Sequence, residues 1–135
     1  MIFHSHLVDT DWIIEFLKGN KEVINKLSLL IKRGNLCISI ISLAELYEGI
    51  YRSRGQKKHL QGLNNFVSGV IVLNIDDEIC KIFGKERASL RREGNLIDNF
   101  DLLIASTCLA YDLVLITDNI KHFERIKSLR VSDNL

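Results

Sequence analysis

The chain has 135 residues, 47% of them hydrophobic and 26% charged, the balance of a folded domain with a packed core and not of a disordered segment. Lys and Arg number 18 against 17 Asp and Glu, so nothing in the overall charge of +1 announces a strongly basic nucleic-acid binder. Any such contact has to come from a local patch.

The length suits a single domain, residues 1–135, with one site. Cys37, Cys80 and Cys108 are odd in number, far apart and set among apolar neighbours, which predicts buried thiols in a reducing compartment and not disulfides or a zinc site. Met1 to Val8 lacks a basic region followed by a long apolar run, and no later stretch reaches the roughly 18 apolar residues of a membrane helix. A cytoplasmic protein that does not enter the membrane is expected. His4 and His6 would share one face of an extended segment and are read as strand surface.

His6 to Asp9 is strand-like, and Trp12 to Leu17 and Glu22 to Ile31 carry helical spacing, the second closed by Gly34-Asn35. Leu36 to Ile41 is an isoleucine-rich run suited to a strand buried on both faces, and Leu43 to Tyr51 resumes a helical pattern. A basic helix follows Gly55. Val70 to Ile75 reads as a strand, and Asp77 to Arg92 as an amphipathic helix ended by Gly94-Asn95. Phe100 to Tyr111 is apolar almost all round and should be enclosed. Leu113 to Thr117 is a further strand, Lys121 to Ile126 a short helix and Leu129 to Val131 an edge strand. Strands alternating with helices predict a three-layer α/β/α domain around a mainly parallel sheet of four to five strands.

In such sheets a ligand sits beyond the carboxyl ends of the strands, where strand order reverses. Acids follow these strands at once: Asp9-Thr10-Asp11, Ser42-Leu43-Ala44-Glu45 and Thr117-Asp118-Asn119, while Asp98 and Asp101 open the enclosed helix. Gathered together, these carboxylates would repel one another and take up protons unless a cation neutralised them, and the hard, oxygen-seeking Mg²⁺ or Mn²⁺ suits that task. Such an ion can hold a phosphate oxygen and orient an attacking water, the chemistry of phosphodiester hydrolysis. Each acid also has a structural use: Ser42 with Glu45 makes a capping box, Asp98 can cap the helix that follows, with Asp101 at its N3 position, and Asp11 or Asn119 can cap theirs. No Walker-type glycine loop and no serine or cysteine set convincingly beside a histidine is present, and no lysine ends the Leu113 to Thr117 strand as a receiver domain would require.

On these pieces the chain resembles a PIN-domain protein over essentially its whole length, and in size and motif order the VapC-type toxins of toxin-antitoxin pairs. The matching segments are Leu7 to Asp11, Ile40 to Gly49, Gly94 through Asp98 to Ala105, and Leu115 to Asn119 with His122-Phe123. The resemblance implies that Asp9, Glu45 and Asp101 are the metal-binding acids, with Asp98 an additional carboxylate. It makes Thr10, Ser42 and Thr117 the hydroxyls that orient acids or water. Two departures stand out: Asp11 replaces a frequent asparagine, and Asn119 replaces an acid that some members carry, with Asp118 beside it.

The family implies a magnesium-dependent endoribonuclease, often acting on transfer RNA, held by a VapB-like antitoxin and commonly a homodimer. Arg52, Arg54, Lys57 and Lys58, with His59, form one stretch able to touch RNA or antitoxin, and Arg91-Arg92 with Lys85 and Arg87 form another. Solvated helix faces would use the same charges. Trp12 is either a base-stacking platform or a core residue. A PIN nuclease that processes RNA without an antitoxin and a non-catalytic PIN-like binding module remain as alternatives.

Overall fold

Five short strands and seven helices alternate along residues 5–134, which the computed structural model describes. In chain order they are β1 (His6–Val8), α1 (Thr10–Leu17), α2 (Lys21–Lys32), β2 (Leu36–Ser39), α3 (Ile40–Tyr51), α4 (Gln56–Val67) and β3 (Ile71–Leu73). They continue with α5 (Asp77–Arg92), α6 (Asn99–Tyr111), β4 (Val114–Ile116), α7 (Ile120–Phe123) and β5 (Val131–Ser132). His4 lies outside the described residues.

All pairings are parallel, in the order β3-β2-β1-β4-β5. The chain starts at the centre, moves outward through β2 and β3, then crosses back to place β4 on the other side of β1. Strand order therefore reverses between β1 and β4, and a crevice opens beyond their carboxyl ends.

The two-residue period of the strands sorts their side chains between two cores. Leu7, Cys37 and Leu115 face a core completed by Leu90, Leu102, Ala105 and Phe123 from α5, α6 and α7. Val8, Leu36, Ile38 and Ile116 face the other, completed by Trp12, Leu27, Leu46, Leu63 and Phe66 from α1 to α4. The resulting three layers are the α/β/α arrangement expected of alternating strands and helices.

Four helix starts beyond α1 are capped by side chains, Asn20 for α2, Ser39 for α3, Asp76 for α5 and Asp98 for α6, while α4 and α7 have no side-chain cap. Gly34 and Gly94 follow the ends of α2 and α5 with φ of 72° and 66°, a conformation that glycine adopts without strain. Several sequence expectations need correction. The second strand stops at Ser39, not Ile41, because the Ser39 hydroxyl accepts the Ile41 N–H at 3.0 Å and starts the helix three residues early. Ser42 is consequently inside α3 and does not cap it. The third strand ends at Leu73, α7 spans only Ile120–Phe123, and the edge strand lies at Val131–Ser132. Cys37 and Cys108 are buried thiols as expected, whereas Cys80 is exposed on α5. His6 is half-buried and not a surface residue, its Nδ1 lying 2.6 Å from the Ser5 hydroxyl.

Candidate active site

Asp9 is the first residue beyond β1 and caps α1. Its backbone N–H donates to the Ile116 carbonyl at 2.8 Å, which locks it to the neighbouring end of β4. Its carboxylate, 6% exposed, accepts the Thr10 N–H on Oδ1 at 2.8 Å and the Thr117 hydroxyl on Oδ2 at 2.7 Å. The Asn119 N–H donates to Thr117 Oγ1 at 3.0 Å, so the Thr117 proton is committed to Asp9. Burial raises the Asp9 pKa; the two hydrogen bonds oppose that shift, and the charges of Asp101 and Glu45 add to it.

Glu45 comes from the second turn of α3. Thr10 Oγ1 lies 2.8 Å from Glu45 Oε1 and 2.9 Å from Ser42 Oγ. A hydroxyl has one proton to give; the carboxylate is the stronger acceptor, so Thr10 donates to Glu45 and the buried Ser42 donates to Thr10. Ser42 and Thr10 thereby fix the first acidic turn of α1 against α3.

Asp98 and Asp101 open α6. Asp98 Oδ2 accepts the N–H groups of Phe100 and Asp101 at 3.0 and 3.3 Å, a helix cap, and leaves the residue exposed. Asp101, at N3, is half-buried; burial raises its pKa, followed by the charges of Asp98 and Glu45. His122 opposes this shift from 3.6 Å, and its Nδ1 also lies 3.0 Å from Asn119 Nδ2. His122 lies in a segment matched to the family but has no role assigned from sequence; its position three residues after Asn119, which precedes α7, is the signal that pairs them.

Asp11 and Asp118 sit beside this group in a ring with Trp12. Asp11 accepts the Trp12 N–H at 2.8 Å and the Asp118 N–H at 3.1 Å, and Asp118 Oδ1 accepts the Trp12 indole N–H at 3.0 Å. The Asp118 carboxylate is thus turned to the tryptophan. Trp12 is buried at 4% exposure with Lys26 Nζ 5.8 Å from its ring centroid, so it is a core residue with no free face for a base. Burial raises the Asp11 pKa to about 6, with the charges of Asp9 and Asp118 adding to the effect. Asn119 stands at the N-terminus of α7 but makes no side-chain cap.

Asp9 and Asp101 therefore each feel the charge of Glu45, Asp9 also feels Asp101, and Asp101 also feels Asp98, acids brought together from three distant parts of the chain. Among the described residues no three His, Cys, Asp or Glu side chains are already drawn in to ligating distance of one point. The donor set is all oxygen and anionic, and Asp9 and Asp101 are held above their ordinary carboxylate range. That chemistry fits a hard divalent cation.

A groove of about 420 Å³ leads away from Glu45. Ile14, Leu17, Leu46 and Ile50 form its apolar walls, and Lys18 and Lys58 stand among its lining residues. Arg52, Arg54 and Lys57 are exposed at the end of α3 and the start of α4, with Arg52 3.9 Å from Glu48. Among the described residues no helix is long and apolar enough to cross a membrane.

The profile of the PIN domain family matches residues 6–129. Ribonuclease VapC1 of Haemophilus influenzae strain R2866 is 33% identical over 129 residues, 95% of this chain and 96% of the relative. The tRNA(fMet)-specific endonuclease VapC of Shigella flexneri is 32% identical over 94% of this chain and 96% of its own length. Among solved structures, VapBC2 of Rickettsia felis bound to a DNA fragment from its promoter contains a chain that superposes with a TM-score of 0.88 at 32% identity, covering 94% of this chain and 96% of that one. With the fold, the strand-end acids and these relatives in agreement, the chain belongs to the PIN domain family, within its VapC group of ribonucleases.

Proposed function

We propose that the chain is a magnesium-dependent endoribonuclease whose acidic centre is Asp9, Glu45, Asp101 and Asp98, and that it is the toxin of a VapBC pair. The observation that carries this reading is the convergence of Asp9, Glu45 and Asp101, with Asp98 beside Asp101, at the switch point of the sheet, where burial and neighbouring negative charge raise the pKa of Asp9 and Asp101, a strain that a bound cation would relieve. Mg²⁺, or Mn²⁺ in its place, would supply neutralising charge at the phosphate and acidify a water for attack on phosphorus.

The residues of the chain have separable tasks. Thr117 holds Asp9 from one side and Thr10 from the other, so the central carboxylate has a fixed direction. Thr10 and Ser42 fix Glu45. His122 stands against Asp101 from α7 with Asn119 beside its ring, and Asp98 shapes the first turn that carries Asp101. The Asp11, Trp12 and Asp118 ring ties the loop after β4 to α1 and keeps Thr117 in reach of Asp9. Asn119, which replaces an acid of some family members, serves through its backbone N–H and through His122.

A transfer RNA is the substrate suggested by the tRNA(fMet)-specific relative, and a VapB-like antitoxin is suggested by the VapBC complexes. The groove beside Glu45 supports the second assignment, because an apolar segment ending in a basic residue would fill its walls and meet the acids. Arg52, Arg54, Lys57 and Lys58 are offered as contacts to RNA or to that partner. We read residues 1–135 as one domain, supported by a single sheet with strands from His6 to Ser132, acting in the cytoplasm as a homodimer.

Cleavage of end-labelled total transfer RNA by the purified chain, with Mg²⁺ against EDTA and with Asp101→Asn alongside, tests the assignment. Discrete Mg²⁺-dependent products missing from the variant are expected. A variant as active as the parent would overturn the site, and no cleavage of any RNA in either metal would overturn the enzyme.

A further inference from the structure

Phe100 occupies the first turn of α6, two residues after Asp98 and one before Asp101, with 50% of its surface exposed. Six large hydrophobic side chains are exposed among the described residues, and Phe100 alone stands between two of the site's carboxylates. Leu96, 38% exposed, adds apolar surface just before the helix.

The backbone that carries this ring is tied down on three sides. Asp98 accepts the Phe100 N–H at 3.0 Å, Arg87 Nε donates to Asn99 Oδ1 at 2.9 Å, and the Arg125 guanidinium donates to the Leu96 carbonyl at 2.8 Å. A rigid segment therefore presents a phenyl ring to water where no core needs one. Two arginines beside it, Arg87 and Arg125, provide positive charge for a phosphate chain. An RNA phosphate lying among the acids has a base within one nucleotide on either side, and every base offers a flat face of matching chemistry.

We propose that Phe100 is a substrate-binding residue that stacks on the nucleobase next to the scissile phosphate. The inference rests on the ribonuclease reading above and deepens it: the substrate is cut where a base is unpaired or turned out of its helix, since a base inside a duplex has no free face. Specificity for a loop or bulge then arises beside the acids and not only in distant basic patches.

The test uses the full chain and hairpin oligonucleotides carrying the cleavage site mapped in total transfer RNA. Phe100→Ala should lower kcat/KM about 5- to 150-fold, the range of one lost base stack. Phe100→Trp should retain most of it, and both variants should melt with the parent because the side chain is exposed. Replacing the flanking base by an abasic residue should cost the parent a similar factor and cost Phe100→Ala nothing further. Equal cleavage by Phe100→Ala and the parent would overturn the stacking alone, as would losses that multiply when variant and abasic site are combined. A Phe100→Ala chain that cuts normally but changes in mass by light scattering would assign the ring to a protein contact instead. A parent that cuts no RNA overturns the nuclease reading and the stacking with it.

Discussion

The Thr117 hydroxyl donates to Asp9 Oδ2 at 2.7 Å, joining two residues 108 positions apart in the chain. Both are buried, so the bond is shielded from water and its loss leaves a carboxylate oxygen without a donor. Thr117→Val keeps the shape and removes the donor. Stability at pH 7 should fall by about 1–3 kcal/mol in urea unfolding. The deficit should shrink in acid, where Asp9 becomes protonated in parent and variant alike.

Asp101→Asn should leave the metal-free fold as stable as the parent or more stable, while removing RNA cleavage. The Asp101 carboxylate is held above its ordinary range by burial and by Asp98 and Glu45, so its charge opposes folding in the absence of a cation. Thermal melting in EDTA reads the first effect. A clear drop in melting temperature would mean that Asp101 has a supporting role in the fold itself.

Acid should stabilise the metal-free chain over one defined window. Asp11 titrates near 6 in the folded state against 3.8 as a free group, so between those values the folded form binds more protons than the unfolded form. Stability attributable to Asp11 is then full below about pH 4, declines as pH rises to about 6, and is flat above. Asp9 and Asp101 shift in the same direction. Melting in EDTA from pH 4 to 8 should show this decline, and added Mg²⁺ should raise the melting temperature most at the upper end.

Ser39→Ala should cost about 1 kcal/mol by loss of a helix cap. Ser42→Ala should act differently, lowering cleavage through the Thr10 and Glu45 contacts. Denaturant titration of both variants, with activity assays, separates the two serines.

Asp118→Ala should release the indole N–H of Trp12, the one tryptophan of the chain. The intrinsic fluorescence should change while the core stays packed. An unchanged emission spectrum would show that the ring linking Asp11, Trp12 and Asp118 does not form in solution.

Much of the architecture was legible because strand alternation and helix punctuation are local signals. Gly34 and Gly94 mark helix ends, and the period-two split of Leu7 from Val8 assigns each to its own core. The start of α3 was misplaced because Ile40 and Ile41 have the β-branched character of a strand, and the small local advantage of the Ser39 cap decides the boundary. The acids at strand ends were identifiable from topology, but their relations were not. That Thr10 serves Glu45, that Asp118 turns to Trp12 and that His122 stands against Asp101 are contacts across elements, set by how α1, α3 and α7 pack. The Cys80 expectation failed for a related reason: apolar neighbours in sequence do not say which side of a helix meets the core.

The order β3-β2-β1-β4-β5 makes the acidic centre depend on a long-range closure of the sheet. The central strand β1 has as its neighbour β4, which is made more than a hundred residues after it, bringing Thr117, and His122 follows. Until then Asp9 lacks its clamp and Asp101 its companion. A chain lacking β4 and α7 would carry Asp9, Glu45 and Asp101 without the Thr117 and His122 contacts, so the centre is a product of the whole sheet and not of the segments that hold the acids.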